Sequence, residues 1–177
     1  MPSPVGHAIA GLCVHVATVR DEKQLLDVRR AGLVVASALL PDVDLLFRVV
    51  DGRNHHQQET HGIGFAILWS LVVLLGFGLR RRPRAAALSF AAGLAWLSHI
   101  LLDYLNRDTN PPIGLMALWP WSDDYYKFPW PIFLDVGRTL NWETLGKNLL
   151  AAGWELAVLL PVFSLVWRIQ GKRLGVR

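Results

Sequence analysis

Apolar runs alternate with charged or polar stretches along this chain. They fall at residues 4–19, 31–50, 61–79, 85–105 and 148–169. Each reads as a helix. At about 1.5 Å of rise per residue, a hydrocarbon core of roughly 30 Å takes about 20 residues. The runs at 61–79, 85–105 and 148–169 suit a full crossing, whereas 4–19 is short and is expected to be partly immersed. Ser3 followed by Pro4 reads as an N-cap with proline at the first helical position. Pro41, inside LPDVDLLF, is expected to interrupt the second run. Thr60 is an N-cap for the third. The connections differ in kind. RDEKQLLDVRR at 20–30 mixes charge signs, DGRNHHQQET at 51–60 is polar, and RRRPR at 80–84 is basic. The stretch 106–147 holds Trp119, Trp121, Trp130 and Trp142 among Pro111, Pro112, Pro120, Pro129 and Pro131. Tryptophan-rich irregular chain beside a membrane is expected to form an interfacial cap.

Composition changes the picture from helical to membrane-embedded. The chain has 177 residues, of which 53% are hydrophobic and 18% charged, with a mean hydropathy of +0.32. Soluble domains carry about 25% charged residues. The fold expected is all-α: an integral membrane helical bundle of about five segments with an extracytoplasmic aromatic-rich cap. It forms a single domain over 1–177, with the cap insertion at about 106–147. One cysteine, Cys13, excludes an internal disulfide and a cysteine-cluster metal site, and it reads as a small packing residue. The N-terminus MPSPVGHAIAGL has no basic n-region, so the apolar segments are expected to act as their own insertion signals.

Net charge is +4. In a soluble protein this would suggest nucleic acid. Here the basic residues follow membrane topology instead, and no nucleic-acid partner is expected. Four basic residues lie in 20–30, four in 80–84 and four from Arg168 onward. These places fall on one side of an alternating bundle, the cytoplasmic side by the positive-inside rule. The opposite loops carry no basic excess: 106–147 holds Arg107, Lys127, Arg138 and Lys147 against Asp108, Asp123, Asp124, Asp135 and Glu143. The topology expected places the N-terminus outside and the C-terminus in the cytoplasm.

Histidines and aspartates then gather on the outer side. His99 and Asp103 stand four apart, on one helix face. His7 opens the first segment, and Asp42 and Asp44 close the apolar part of the second. His55 and His56 lie in the outer loop, and His61 opens the third segment. Each has a bland reading: an interfacial polar residue, a capped helix break, solvated loop histidines, a buried structural pair. His15, deeper in the first segment, is read as structural. Together, imidazoles and carboxylates at one membrane depth are what zinc and similar ions favour. Four to seven such ligands would serve one ion, or a pair about 3.5–4 Å apart.

GHAIAGL, LLPDVDLL, HHQQETHG, SHILLDYLN and LWPWS, in that order, resemble the membrane-bound metal-dependent hydrolases, also described as LexA-regulated inner-membrane hydrolases. The resemblance spans nearly the whole chain. It implies His7, Asp42, Asp44, His56, His61, His99 and Asp103 as metal ligands, with Asp42 and Asp44 as catalytic residues and Asp44 a further ligand or the base. Gln57 and Gln58 stand where arginine and glycine are usual, and Gly62 where serine is usual. A distant similarity to zinc-dependent phospholipase C implies one to three divalent ions, Zn2+ foremost, and phosphoester chemistry. The expected partners are membrane lipid and a lipid or phosphoester substrate. WPWSDDYY, residues 119–126, would then form a lid or substrate rim, with Asp123 or Asp124 an extra acid. The alternative function is a metal-binding or metal-transport membrane protein without hydrolysis.

Overall fold

A computed structural model describes residues 1–52, 55–79, 84–109, 111–137, 139 and 141–176, the side chains at 48, 49 and 51 excepted. Most of the basic loop at 80–84, and also Arg53, Arg138 and Arg177, lie outside the described residues. The described residues form an all-helical bundle: α1 (Pro4–Thr18), α2 (Glu22–Leu25), α3 (Val28–Leu39), α4 (Asp44–Asp51), α5 (Ile63–Gly78), α6 (Ala85–Tyr104) and α7 (Trp142–Leu174). Two of these, α6 and α7, are long and apolar enough to cross a membrane. α1 and α5 are shorter apolar helices.

The chain's local chemistry explains where the helices start and stop. Ser3 is the N-cap of α1, its hydroxyl accepting from the Gly6 N–H, with Pro4 in the first turn. The second apolar run divides at Pro41, where the 3-10 turn Leu40–Val43 separates α3 from α4. α5 begins later than the apolar run suggested. The 3-10 turn Glu59–His61 intervenes, Gly62 is the cap, and no side chain bonds it. The Thr60 hydroxyl, expected to cap this helix, is drawn to Asp44 instead. α7 starts at Trp142, inside the stretch assigned to the cap, because the Asn141 side chain accepts from the Thr144 N–H.

Small residues let the helices approach closely. Val34 and Ala38 of α3 pack on Ala91 and Ala95 of α6. A Cβ on Gly11 would lie 3.0 Å from that of Ala38, and one on Gly93 would lie 3.1 Å from that of Ser70. Membrane helices associate through such contacts, since lipid offers no hydrophobic force between them. Cys13 packs against the cluster of Ile9, Leu102 and Leu159.

Helix direction sorts the polar groups to two ends. Ser3 and Glu155 meet at one end of α1, and the Gln170 amide donates to the Val19 carbonyl at the other. α1 and α7 therefore run parallel, and the first turns of α7 project past α1. That projection carries the cap: the Trp154 indole donates to the Ile132 carbonyl, and Asn148 exchanges hydrogen bonds with the Gly137 backbone. The opposite end is basic, with Arg84 on Asp21 at 2.9 Å and Arg30 buried against α1.

Candidate metal centre

Four stretches of chain deliver the sequence-predicted residues to one place: the second turn of α1, the turn between α3 and α4, the loop before α5, and the last turns of α6. His7, His56, His61, His99, Asp44 and Asp103 are all buried, and Asp42 keeps its side chain 14% exposed. A helix break at Pro41 is what turns Asp42 and Asp44 inward between apolar neighbours.

The geometry divides into two donor groups sharing His61: Asp42, His61, His99 and Asp103 form one, and Asp44, His56 and His61 the other. In the first, His61 Nε2 and His99 Nε2 stand 3.1 Å apart. Asp103 Oδ2 lies 3.2 Å from each, and Asp42 Oδ1 3.6 Å from each. In the second, Asp44 Oδ1 is 3.0 Å from His56 Nδ1, and Asp44 Oδ2 is 3.2 Å from His61 Nδ1. His7 stacks on His99, ring centroids 3.7 Å apart, with Nε2 at 3.5 Å from Asp103 Oδ1.

Hydrogen bonds at the far nitrogens fix which atoms face the centre. His99 Nδ1–H donates to the Ala38 carbonyl at 2.8 Å, which leaves Nε2 as the lone-pair nitrogen. Thr60 O–H donates to Asp44 Oδ2 at 2.8 Å, so His61 Nδ1–H meets two acceptors, Thr60 Oγ1 and Asp44 Oδ2. With the ring neutral, as a metal ligand requires, His61 Nε2 is then a lone pair as well. In that state two imidazole lone pairs and two carboxylate oxygens converge with no proton between them. Asp42 Oδ1 and both oxygens of Asp103 are buried without a hydrogen bond, a state that costs about 1–3 kcal/mol per group or more for a charge.

Such an array fits a cation. Zinc bonds of 2.0–2.2 Å in tetrahedral geometry separate the donor atoms by about 3.3–3.6 Å, close to the 3.1–3.6 Å measured here. The donor set, imidazole and carboxylate without thiolate, is that of zinc and its neighbours. Partners on the far nitrogens of His99 and His61 are the outer contacts that orient metal-binding histidines.

Beside the centre a slot of about 270 Å³ is walled by Phe47, Phe65 and Trp119, with Asp44 and Thr60 among its lining and His55 and Glu59 beside them. Trp119 belongs to the cap, which is stitched here by Gly64 N–H to the Trp119 carbonyl and Met116 N–H to the Gln57 carbonyl. Gly62 stands where it does because a Cβ there would lie 2.7 Å from that of Trp119. Burial pushes the Tyr125 phenol, next to Gln58, above its ordinary range. Asp123 and Asp124 are exposed, Asp124 accepting from the Ser122 hydroxyl, and neither joins the donor groups. His15 lies at the opposite end, bonded to Arg30 and Leu25. Sequence reasoning missed Glu155 and the Asp44 contact of Thr60; an acidic residue inside an apolar helix was a visible signal for the first.

The profile of the YdjM inner membrane protein family matches residues 1–174. A curated relative, the inner membrane protein YbcI of Escherichia coli (strain K12), is 32% identical over 142 residues, 75% of each chain. No solved structure matches.

Proposed function

The chain belongs to the YdjM inner membrane protein family, and on that premise we propose that it is a metal-dependent hydrolase of the inner membrane, acting on phosphoesters at the outer leaflet. One observation carries the reading: two imidazole nitrogens and two carboxylate oxygens from three separate stretches of chain converge, each nitrogen 3.1–3.6 Å from the other donors. Asp42, His61, His99 and Asp103 would hold a divalent ion, zinc foremost, with His7 beside Asp103. Asp44 and His56 would stand behind His61, on the side away from the ion. Once bound, the ion supplies Lewis acidity and lowers the pKa of water toward neutrality.

The chain's own residues divide the remaining work. Asp44 is engaged by His56, His61 and Thr60, so its role is to orient the two imidazoles. Asp42, with its side chain partly exposed, would hold the ion through Oδ1 and is the carboxylate placed to take a proton from water at its other oxygen. The aromatic slot would seat an apolar part of the substrate, and the cap would limit water. The ion would meet the substrate's negative charge. All the clustered ligands lie at one end of the bundle, which favours a surface reaction over a through-path.

The test is metal analysis of the purified protein, together with hydrolysis of nitrophenyl phosphoesters and phospholipid vesicles before and after chelation. Stoichiometric zinc and chelator-sensitive release support the proposal. A protein that takes up no transition metal sinks it. Metal uptake with no hydrolysis, but with metal flux into vesicles, would establish transport instead.

A further inference from the structure

Between Lys147 and Arg168, α7 carries a single ionisable side chain, Glu155, and it is fully buried. A carboxylate in a helix that is otherwise largely exposed to lipid is costly and calls for a partner. Its partner is the start of α1. The Ser3 N–H donates to Glu155 Oε1 at 2.7 Å, and the Ser3 hydroxyl donates to Oε2. The positive end of the α1 dipole adds to the attraction. Gly6 makes room, since a Cβ there would stand 2.6 Å from Glu155 Oε2.

This contact leads to the metal centre. The Ser3 carbonyl accepts the backbone N–H of His7 at 3.3 Å, so the residue held by Glu155 is bonded directly to the residue carrying a candidate ligand. His7 also differs from its neighbours. Ala38 holds the far nitrogen of His99, and Asp44 with Thr60 holds that of His61. Among the described residues the far nitrogen of His7 has no hydrogen-bond partner. Its ring must be aimed by its backbone and by the stack on His99. We infer that Glu155 is a positioning residue of the metal centre: by clamping the first turn of α1 it sets the depth and rotation of His7 beside Asp103.

The inference rests on the metal reading proposed above, and a double-mutant cycle separates the two. Zinc affinity of the full-length protein in detergent is measured by competition with a chromophoric chelator. Glu155→Gln is made alone and together with His7→Ala. With His7 present, Glu155→Gln is expected to weaken zinc binding about 10–100-fold, as loss of an orienting contact does. With His7 absent, the same substitution is expected to change affinity less than about threefold, because its route to the ion is gone. Equal losses in both backgrounds would mean general packing and overturn the inference, as would a Glu155→Gln protein that binds zinc as tightly as the parent. Absence of zinc binding by the unsubstituted protein would overturn the metal reading and this inference with it. If Glu155→Gln does not fold, Ser3→Ala keeps the carboxylate and one of its two donors, and it is read through the same cycle with the same criteria.

Discussion

Asp103→Asn separates a metal centre from a polar core by the sign of its effect. The Asp103 side chain is inaccessible to solvent, and its two oxygens lie 3.2–3.5 Å from His7, His61 and His99 without a hydrogen bond. In the metal-free protein this is a buried charge held at a desolvation cost. Asparagine preserves its volume and removes the charge, so metal-free thermal stability should stay level or rise. In the metal-loaded protein the carboxylate is one of four donors. Zinc at a thousand times its dissociation constant stabilises the native state by about 4.1 kcal/mol. For a chain of this length, that is about 8–16 °C in Tm. Each tenfold loss of affinity removes about 1.4 kcal/mol of that increment, or about 3–6 °C. The assay is thermal unfolding in detergent with zinc and with chelator, for parent and variant. The expected outcome is a large zinc-dependent rise in the parent and a much smaller one in Asp103→Asn. Equal falls in Tm with and without zinc would refute the reasoning, showing that Asp103 serves only the packing of the imidazoles.

Two further outcomes test the cap and the topology. Gly64→Ala places a Cβ 2.5 Å from Pro120 Cδ and 2.8 Å from the Trp119 carbonyl oxygen. An overpacking cost of about 1–3 kcal/mol is expected, with phosphoester hydrolysis falling more than zinc affinity; equal losses would separate the cap from the substrate slot. Cysteine placed at the exposed positions Asp123 and Arg173 should react differently with a membrane-impermeant maleimide on intact spheroplasts: Asp123→Cys labels and Arg173→Cys does not. The reverse pattern would invert the proposed orientation.

The sequence disclosed the members of the candidate cluster more fully than the fold around them. Residues at helix spacing or beside a helix breaker announced themselves: His99 with Asp103, and the pair after Pro41. Their meeting follows from hydropathy alone, because apolar runs joined by short loops stack side by side and bring alternate ends together. What stayed hidden depends on tertiary partners. Thr60 has the chemistry of a cap, but a buried carboxylate 16 positions away competes for its hydroxyl and wins. α7 starts inside an apparently irregular region because a single asparagine caps it. The hold of Glu155 on α1 spans 152 positions, and no local pattern encodes a contact at that separation. The basic face was read from counts, and only part of it lies within the described residues: Arg84 on Asp21, and Arg30 against α1.

The two ends of the bundle supply an internal comparison. At the basic end His15 is fully satisfied. Nδ1 accepts from Arg30 at 2.8 Å, Nε2–H donates to the Leu25 carbonyl at 3.2 Å, and the same guanidinium covers the His15 carbonyl and Thr18 hydroxyl. Donors there match acceptors, as a histidine used for packing requires. At the other end, four imidazoles and three carboxylates gather. Two imidazole nitrogens whose opposite sides are already engaged face each other at 3.1 Å. One chain therefore builds one histidine by the rules of a self-sufficient core and several others against them. The rules broken are those that a cation would restore, and among the described residues they are broken at the end where the aromatic slot opens.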